Sequence, residues 1–330
     1  MIYVLTQTLD TALVLFGSLR SKIDEVISID VAREVKKLWI PYRGAHNPYA
    51  KRLSIVAIDS GYNYKEFRGY ALYIQNTAWV LVEPRGGEQC NGVVDVDVAS
   101  TSNIEYELSL LSIAREVETM IKLVTLADII LVDGSAIAMF SKLRRAMLES
   151  EHELLNSKGV RLSEVLKNLL ITLSLYPRKF VFLSKNSTAK DVLGFVKGDI
   201  YYFERYTGGL PGYTKPLDLA ESKHMGIASA TKIFMHSMKS VTGLKASIYM
   251  SYARFEPYSR VYRVELIGEL DEPVEPRVRH LIDVLSVATV SGYPYPLMRA
   301  DQVAKVSNSD VERIAAVLGV LEDPYSREPV

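Results

Sequence analysis

The sequence contains little cysteine and no long apolar run, and each shortage excludes a class of protein. Its single cysteine, Cys90, excludes an intramolecular disulfide and any zinc site built from several cysteines, so a cytoplasmic protein is expected. No apolar run approaches the roughly 20 residues that a membrane-spanning helix needs. The first residues lack the basic region and the small-residue cleavage site of an export signal, and their apolar spacing predicts a helix instead.

An excess of basic residues is also absent, since 39 Lys and Arg balance 39 Asp and Glu. A strongly basic balance is the usual electrostatic mark of a nucleic-acid-binding protein. Separate patches of opposite sign would give the same total, so the net charge neither supports nor excludes such a partner.

The 330 residues are 48% apolar, which is enough to build a sizeable core. The apolar residues come in short periodic runs separated by Gly, Pro and Asn, as in an ordinary globular protein. We predict an N-terminal helical segment over residues 1–50, with helix over residues 1–40 and a loop that begins at residue 41 and extends to residue 51. One larger domain over 51–330 follows it, with a helical insertion at about 136–175.

The order of predicted elements indicates a mixed α/β fold rather than a doubly wound parallel sheet. Three closely joined strands at 53–59, 67–75 and 78–83 predict an antiparallel meander, with a tight turn at 76–77. The remaining elements are a helix at about 104–126, strands at 127–133 and 179–185, an ordered loop at 201–216, a hairpin over 246–266, and helices at about 275–289, 296–306 and 309–319.

Two acidic residues, Asp59 and Asp133, each follow an apolar strand and precede a turn. Strand ends are where a sheet presents side chains to an open crevice, and paired carboxylates there repel each other unless a cation lies between them. A lone Asp after a strand more often starts a turn or caps a helix. Two of them, with a helix between, favour a divalent metal site. A P-loop ATPase could also place an Asp after a strand, but the required G-x-x-x-x-G-K-[ST] loop is absent.

The helix between these strands carries further acids, of which Glu116 and Glu118 flank its apolar stripe on opposite sides. At 100° per residue either side chain could project past the edge of the sheet to the same site. Periodicity does not choose between them.

The ordered set of motifs resembles the ribonuclease H-like nuclease superfamily and, more closely, the archaeal NurA nuclease family. The segments that carry the resemblance span roughly residues 53–306 and are IVAIDSGYN, REVETMIKLVTLADIILVDGS, VFLSKNS, SYARFEPYSRVYRVEL and GYPYPLMRADQVAKV. The resemblance implies a ribonuclease H-like mixed sheet whose first three strands are antiparallel, with flanking helices. It places the family's metal-binding acids on Asp59, Asp133 and Glu116, with Glu118 as the fallback.

The resemblance also implies an activity and partners. The implied activity is that of a nuclease that uses two Mn²⁺ or Mg²⁺ ions to cut single- and double-stranded DNA. It includes 5′-to-3′ exonuclease and single-strand endonuclease activity. The resemblance further implies that the protein forms a homodimer and works with a HerA-type hexameric ATPase in the resection of DNA ends during double-strand-break repair.

One residue departs from the family pattern. The resemblance implies a histidine in the closing helix where this sequence has Asp301, which can bind a metal directly but cannot act as the same neutral donor or base. We therefore expect Asp301 to join the metal ligands. This departure leaves open a second interpretation, a catalytically weakened DNA-binding adaptor of the ATPase motor. Because ribonuclease H-like enzymes share this core, an enzyme that acts on RNA also stays open.

Two further predictions concern residues that would contact a bound DNA strand. Lys185, directly after a predicted strand, is placed to hold a scissile phosphate, although a surface lysine is the plain alternative. Tyr202, Arg205 and Tyr206 are candidates for stacking on the bases of a single strand. Packing is the commoner role of such a tyrosine cluster.

Overall fold

The computed structural model describes residues 6–25, 29–42, 52–84, 86–149 and 152–319. Its centre is a ten-stranded sheet in the order β1-β7-β9-β10-β6-β5-β2-β3-β4, with β8 paired to β9. The strands are β1 Trp39–Pro41, β2 Ile55–Phe67, β3 Tyr70–Val82, β4 Glu88–Ala99, β5 Ile129–Asp133, β6 Phe180–Ser184, β7 Gly212–Thr214, β8 Leu217–Asp218, β9 Ala246–Arg254 and β10 Tyr262–Glu269. A separate short hairpin joins β11 Thr289–Val290 to β12 Tyr293–Pro294.

Helices cover both faces of this sheet. They are α1 Thr6–Glu25, α2 Ile29–Leu38, α3 Ile104–Leu123, α4 Ala136–Ala146, α5 Glu153–Ser157, α6 Leu162–Leu175, α7 Asp199–Tyr206, α8 Met225–Thr242, α9 Glu275–Val287, α10 Tyr295–Ala304 and α11 Asn308–Val317. The predicted helix after the meander, the helices at 136–175 and the three C-terminal helices are confirmed within a few residues. None of the described helices is both long enough and apolar enough to cross a membrane.

The sheet is mixed, as the sequence predicts for a ribonuclease H-like fold. Strands β2, β5 and β6 run parallel to one another, while β2–β3–β4 form an antiparallel meander and β10 and β9 continue antiparallel from β6. Alternate residues of the central strands enter two cores, as strand geometry requires. Val56 and Ile58 pack in the core on the α3 side, while Ile55 and Ala57 pack in the core on the α9 and α10 side.

The predicted boundaries of the meander are wrong in two places. Strand β2 does not stop at Asp59 but continues to Phe67, and 76–77 is not a turn but the middle of β3. The turn lies instead at Arg68 and Gly69, where Gly69 has a positive φ of 91°. Thr77 looked like a turn residue, yet it is buried and its hydroxyl bonds to Ser60 inside the sheet. The third strand of the meander is β4, which was not predicted.

Gly61 explains why the segment after Asp59 looked like a turn. It lies within β2, where α10 crosses the strand so closely that an added Cβ would stand 2.5 Å from the carbonyl oxygen of Ala304. Glycine in a strand interior often marks such an approach of another backbone. The glycine therefore brings α10 against β2 without ending the strand.

The predicted ordered loop at 201–216 is also wrong. Its first part is helix α7 and its end is strand β7, which pairs with β9. Tyrosine and phenylalanine have ordinary helix propensity, and here Tyr202 and Phe203 are buried in the main core. Tertiary packing outweighs the Gly and Pro content that follows the helix.

The N-terminal segment reaches the sheet at its far edge. Strand β1 pairs antiparallel with β7 through Trp39–Thr214 and its neighbours. Most of the predicted loop at 41–51 lies outside the described residues. The division of the chain at residue 50 stays a prediction.

Candidate metal centre

The parallel strands bring three of the predicted site residues to one end of the sheet. Asp59 lies on β2, Asp133 ends the neighbouring β5, and Lys185 directly follows β6. The chain leaves β5 through Gly134, whose φ of 113° suits glycine and whose N–H donates to the carbonyl of Leu183. The β5 and β6 ends are thereby held side by side, as in α/β sheets that bind ligands at their carboxyl ends.

Helix α10 adds a third carboxylate from above the sheet. Asp59 and Asp133 face the α10 side, because their alternate neighbours Ala57 and Leu131 pack in that core. One carboxylate oxygen each from Asp59, Asp133 and Asp301 lies within 4.8 Å of the other two. We call these three residues the acidic cluster.

Lys185 compensates part of this negative charge. Its Nζ lies 2.9 Å from Oδ2 of Asp133 and 2.8 Å from Oδ1 of Asp301. Burial alone would lower the pKa of the Lys185 ammonium, but the hydrogen bonds to both carboxylates outweigh it and raise the pKa. The lysine is therefore a fixed cation between two members of the cluster.

One ammonium does not neutralise the whole cluster. Burial, followed by repulsion from Asp133, raises the pKa of Asp59 to about 8, despite the opposing effect of Lys185. Burial also raises the pKa of Asp133, although its hydrogen bond to Lys185 opposes the shift. The cluster therefore holds a proton at neutral pH unless further positive charge arrives.

The structure brings Glu116, not Glu118, to this place. Burial, and then the charge of Asp59, raises the pKa of Glu116 to about 8, while the Ser60 hydroxyl opposes the shift. Glu118 instead pairs with Arg115 at 3.0 Å. Glu116 lies outside the tight group of three, because α3 packs on the opposite face of the sheet from α10.

Tyr293 is a site residue that the sequence did not predict. Burial, and then repulsion from all three acids of the cluster, raises the pKa of its hydroxyl, which is buried and has no partner among the described residues. Its ring lies 5.3 Å from that of Tyr262 and 4.9 Å from Nζ of Lys185. In the sequence, only the Ser291–Gly292 pair could have indicated this position, because such a pair favours a tight hairpin turn. Both residues have positive φ values in that turn, which positions Tyr293.

The three predicted base-stacking residues do not form one exposed surface. Tyr202 is only 2% exposed, and its ring packs on those of Phe195 and Tyr201, so packing is its role here. Tyr206 is partly buried against the main core, with Arg205 over its ring. The buried Tyr202 leaves no free ring face for a base.

The donor set fits a hard divalent cation. Carboxylate oxygens are the ligands that Mg²⁺ and Mn²⁺ prefer, and three of them converge here with a fourth carboxylate near by. A cation would also relieve the repulsion that keeps the cluster protonated. The arrangement can hold an ion where an anionic substrate would be attacked.

Comparison with known proteins identifies relatives over nearly the whole chain. A family model described as the NurA domain matches residues 53–306. The DNA double-strand break repair nuclease NurA of Sulfolobus acidocaldarius is 28% identical over 315 residues, which is 90% of this chain and 89% of that protein. The protein of the same name from Sulfurisphaera tokodaii is 25% identical over 319 residues, covering 91% and 90%.

Solved structures share the fold. The NurA nuclease from Sulfolobus solfataricus superposes with a TM-score of 0.75 at 20% identity, over 96% of this chain and 97% of that one. A structure of NurA bound to dAMP and manganese superposes with a TM-score of 0.54 at 13% identity, over 97% and 98%.

Proposed function

Because the chain belongs to the NurA family, we propose that it is a metal-dependent deoxyribonuclease that hydrolyses phosphodiester bonds in DNA double-strand-break repair. One observation carries the proposal: three carboxylates and Lys185 converge where β5 and β6 end beside β2 and α10, with a charge that favours a bound cation. The relatives that align with about nine tenths of this chain are named as DNA double-strand break repair nucleases. The site and the family thus point to the same chemistry.

We assign the metal to Asp59, Asp133 and Asp301, with Glu116 as a fourth carboxylate, and expect Mn²⁺ or Mg²⁺ in a two-ion site. Bound there, the metal would lower the pKa of an attacking water and stabilise the leaving 3′ oxygen. The assignment is supported by the related NurA that was solved with dAMP and manganese bound. The protein's own part is to hold the carboxylates rigidly on β2, β5, α3 and α10.

Lys185 has a different role in this proposal. Its ammonium already lies among the acids, so it can donate to a non-bridging oxygen of a phosphate that enters the same space. A preorganised donor of this kind stabilises negative charge as it develops. Lys185 is thereby a catalytic residue of the proposed reaction.

Tyr293 has a hydroxyl without a partner among the described residues and a ring beside Lys185, and Tyr293→Phe tests whether this hydroxyl assists the reaction. We expect cleavage to slow by about ten- to a hundredfold, because one hydrogen bond to a charged oxygen contributes roughly 1.5–3 kcal/mol. The melting temperature should change little, because Phe keeps the ring against Tyr262 and the hydroxyl has no partner among the described residues. An unchanged single-turnover cleavage rate at saturating manganese would show that the Tyr293 hydroxyl takes no part in the reaction.

The finer activity and the partners are proposals from the family resemblance. They comprise 5′-to-3′ exonuclease and single-strand endonuclease action, a homodimer, and work with a HerA-type hexameric ATPase. Exposed apolar side chains on α1 support a protein contact, since Leu13 is 73% exposed and Val14 is 84% exposed. Light scattering of the purified chain, alone and with such an ATPase, tests both assemblies.

A second candidate is a DNA-gripping adaptor of the motor that no longer cuts. The observation that favours it is Asp301, which stands where the resemblance implies a histidine, and no described histidine joins the acidic cluster. His236, for example, is exposed on α8. Cleavage of plasmid and single-stranded DNA with manganese, lost on adding a chelator, would exclude the adaptor. Competition with RNA in the same assay tests an RNA substrate.

A further inference from the structure

An open groove runs from the acidic cluster along the side of the sheet. It starts at Asp133 and Lys185 and continues between the loop at 185–198 and the first turns of α4 and α8. Its volume is about 1210 Å³. Sites for small molecules usually enclose about 300–1,000 Å³, so this groove suits a stretch of polymer better.

The charged side chains along this groove are mostly basic. Lys190 and Lys197 line it beyond Lys185, and Asp133 is the only carboxylate among the described residues that line it. Lys197 is exposed and lies 4.1 Å from the ring centroid of Tyr201. Lys185 and Arg263 are already paired with carboxylates, so the positive charge of this groove comes from Lys190 and Lys197, although the overall charge of the chain is zero. We call the surface formed by Lys185, Lys190, Lys197, His224 and Arg263 the basic groove.

Arg263 supplies an independent sign that the groove has a ligand. Its side chain is 3% exposed, and two of its nitrogens pair with Asp191 and Glu265. Its Nη2 is buried without a hydrogen-bond partner among the described residues, although the residue lies in the groove wall. A buried donor left unpaired costs about 1–3 kcal/mol, so a partner from outside the protein is expected. Since its charge is already balanced, Arg263 offers a hydrogen bond rather than long-range attraction.

The first turns of two helices also line the groove, although in α4 the Ile137 N–H already donates to Glu265 and the Ala138 N–H to Ser135. Ile137 and Ala138 come from the first turn of α4, and Ile227 from the first turn of α8. The N-terminal end of a helix carries a partial positive charge that favours anions. His224 caps α8 by accepting at Nδ1 from the Ile227 N–H, which leaves the Nε2 side of its ring as a donor.

We propose that the basic groove holds the sugar-phosphate backbone of a single DNA strand that leads into the acidic cluster. This proposal rests on the nuclease function proposed above, because that function makes the strand DNA. Lys190 and Lys197 attract the phosphates, while Arg263 and His224 hydrogen-bond to them. The strand therefore follows the α4 and α8 side of the sheet rather than the aromatic helix α7.

The test measures binding of oligothymidylate by fluorescence anisotropy, with chelator present so that no cleavage occurs. The double variant Lys190→Gln with Lys197→Gln should bind about tenfold more weakly than the wild type at low salt. Its plot of log affinity against log salt should be shallower by about 1.4, since each phosphate contact on a single strand contributes about 0.7. The matched control is Lys122→Gln with Lys239→Gln, which removes the same charge from exposed positions outside the groove.

Equal affinities and equal salt slopes for the two double variants would overturn the proposal that the basic groove binds the DNA strand. Because binding is measured without turnover, this result is separable from failure of the nuclease proposal, which a metal-dependent cleavage assay of the wild type decides. With manganese present, the groove variant should raise KM while leaving kcat near the wild-type value. A change in kcat alone would also contradict a binding role.

Discussion

Asp59→Asn is expected to lower the rate of manganese-dependent DNA cleavage by at least about a thousandfold, since losing roughly 4 kcal/mol of charge stabilisation in the transition state corresponds to that factor. Asp59 is the member of the acidic cluster that lies on β2, and it shares charge repulsion with both Asp133 and Glu116. The amide keeps the shape of the side chain but is a poorer metal ligand. Initial rates on end-labelled single-stranded DNA measure the effect.

The same substitution should stabilise the metal-free protein. Asp59 is penalised by burial and by neighbouring carboxylates, so the neutral amide relieves repulsion and the melting temperature at pH 8 should rise by a few degrees. Glu312→Gln, an exposed change on α11, is the control and should alter neither rate nor melting temperature. A stable Asp59→Asn protein that still cuts DNA at the wild-type rate would refute the assignment.

The second large effect is the pH dependence of manganese binding. Burial and neighbouring carboxylates raise the pKa of Asp59 and of Glu116 to about 8 without metal, and in the proposed site both lose their protons when the ion binds. Affinity should therefore fall as pH drops below 8, by about tenfold per pH unit for each proton displaced. Above pH 8 it should level off. Isothermal titration between pH 6 and pH 9 measures this, and a flat profile would contradict the proton release.

The same pKa shifts predict how pH changes the stability of the metal-free protein. A carboxyl whose pKa is raised on folding makes the folded chain bind more protons than the unfolded chain between about pH 4 and pH 8. Its stabilising contribution is therefore present at low pH and is lost as pH rises through that window. The melting temperature in chelator should follow this fall, and added manganese should reverse it.

The central strands and their two acidic residues, Asp59 and Asp133, were predictable because buried strands appear in the sequence as short apolar runs. The runs ending at Asp59 and Asp133 are apolar enough to indicate central strands, and both do lie in the middle of the sheet. The extent of β2 was not predictable from local pattern, since Gly61 is required by the approach of α10 from far along the chain. Likewise, Thr77 resembles a turn residue until its burial and its hydrogen bond to Ser60 within the sheet are known.

The rest of the site depends on contacts between distant segments. Periodicity alone left Glu116 and Glu118 equivalent, and only the packing of α3 on the sheet separates them. Tyr293 and the basic groove lie on segments that come together only in the fold. The partial positive charge of helix N-termini and the unpaired nitrogen of Arg263 have no signature in the sequence.

The acidic cluster is proposed to hold the metal of a nuclease, and anomalous diffraction from manganese-soaked crystals is the decisive experiment. We predict a manganese peak among the carboxylates of Asp59, Asp133 and Asp301, with metal-oxygen distances of about 2.0–2.3 Å. Lys185 should have moved away from at least one of its two carboxylate partners. A peak elsewhere, or no peak with Lys185 still bridging Asp133 and Asp301, would contradict the account.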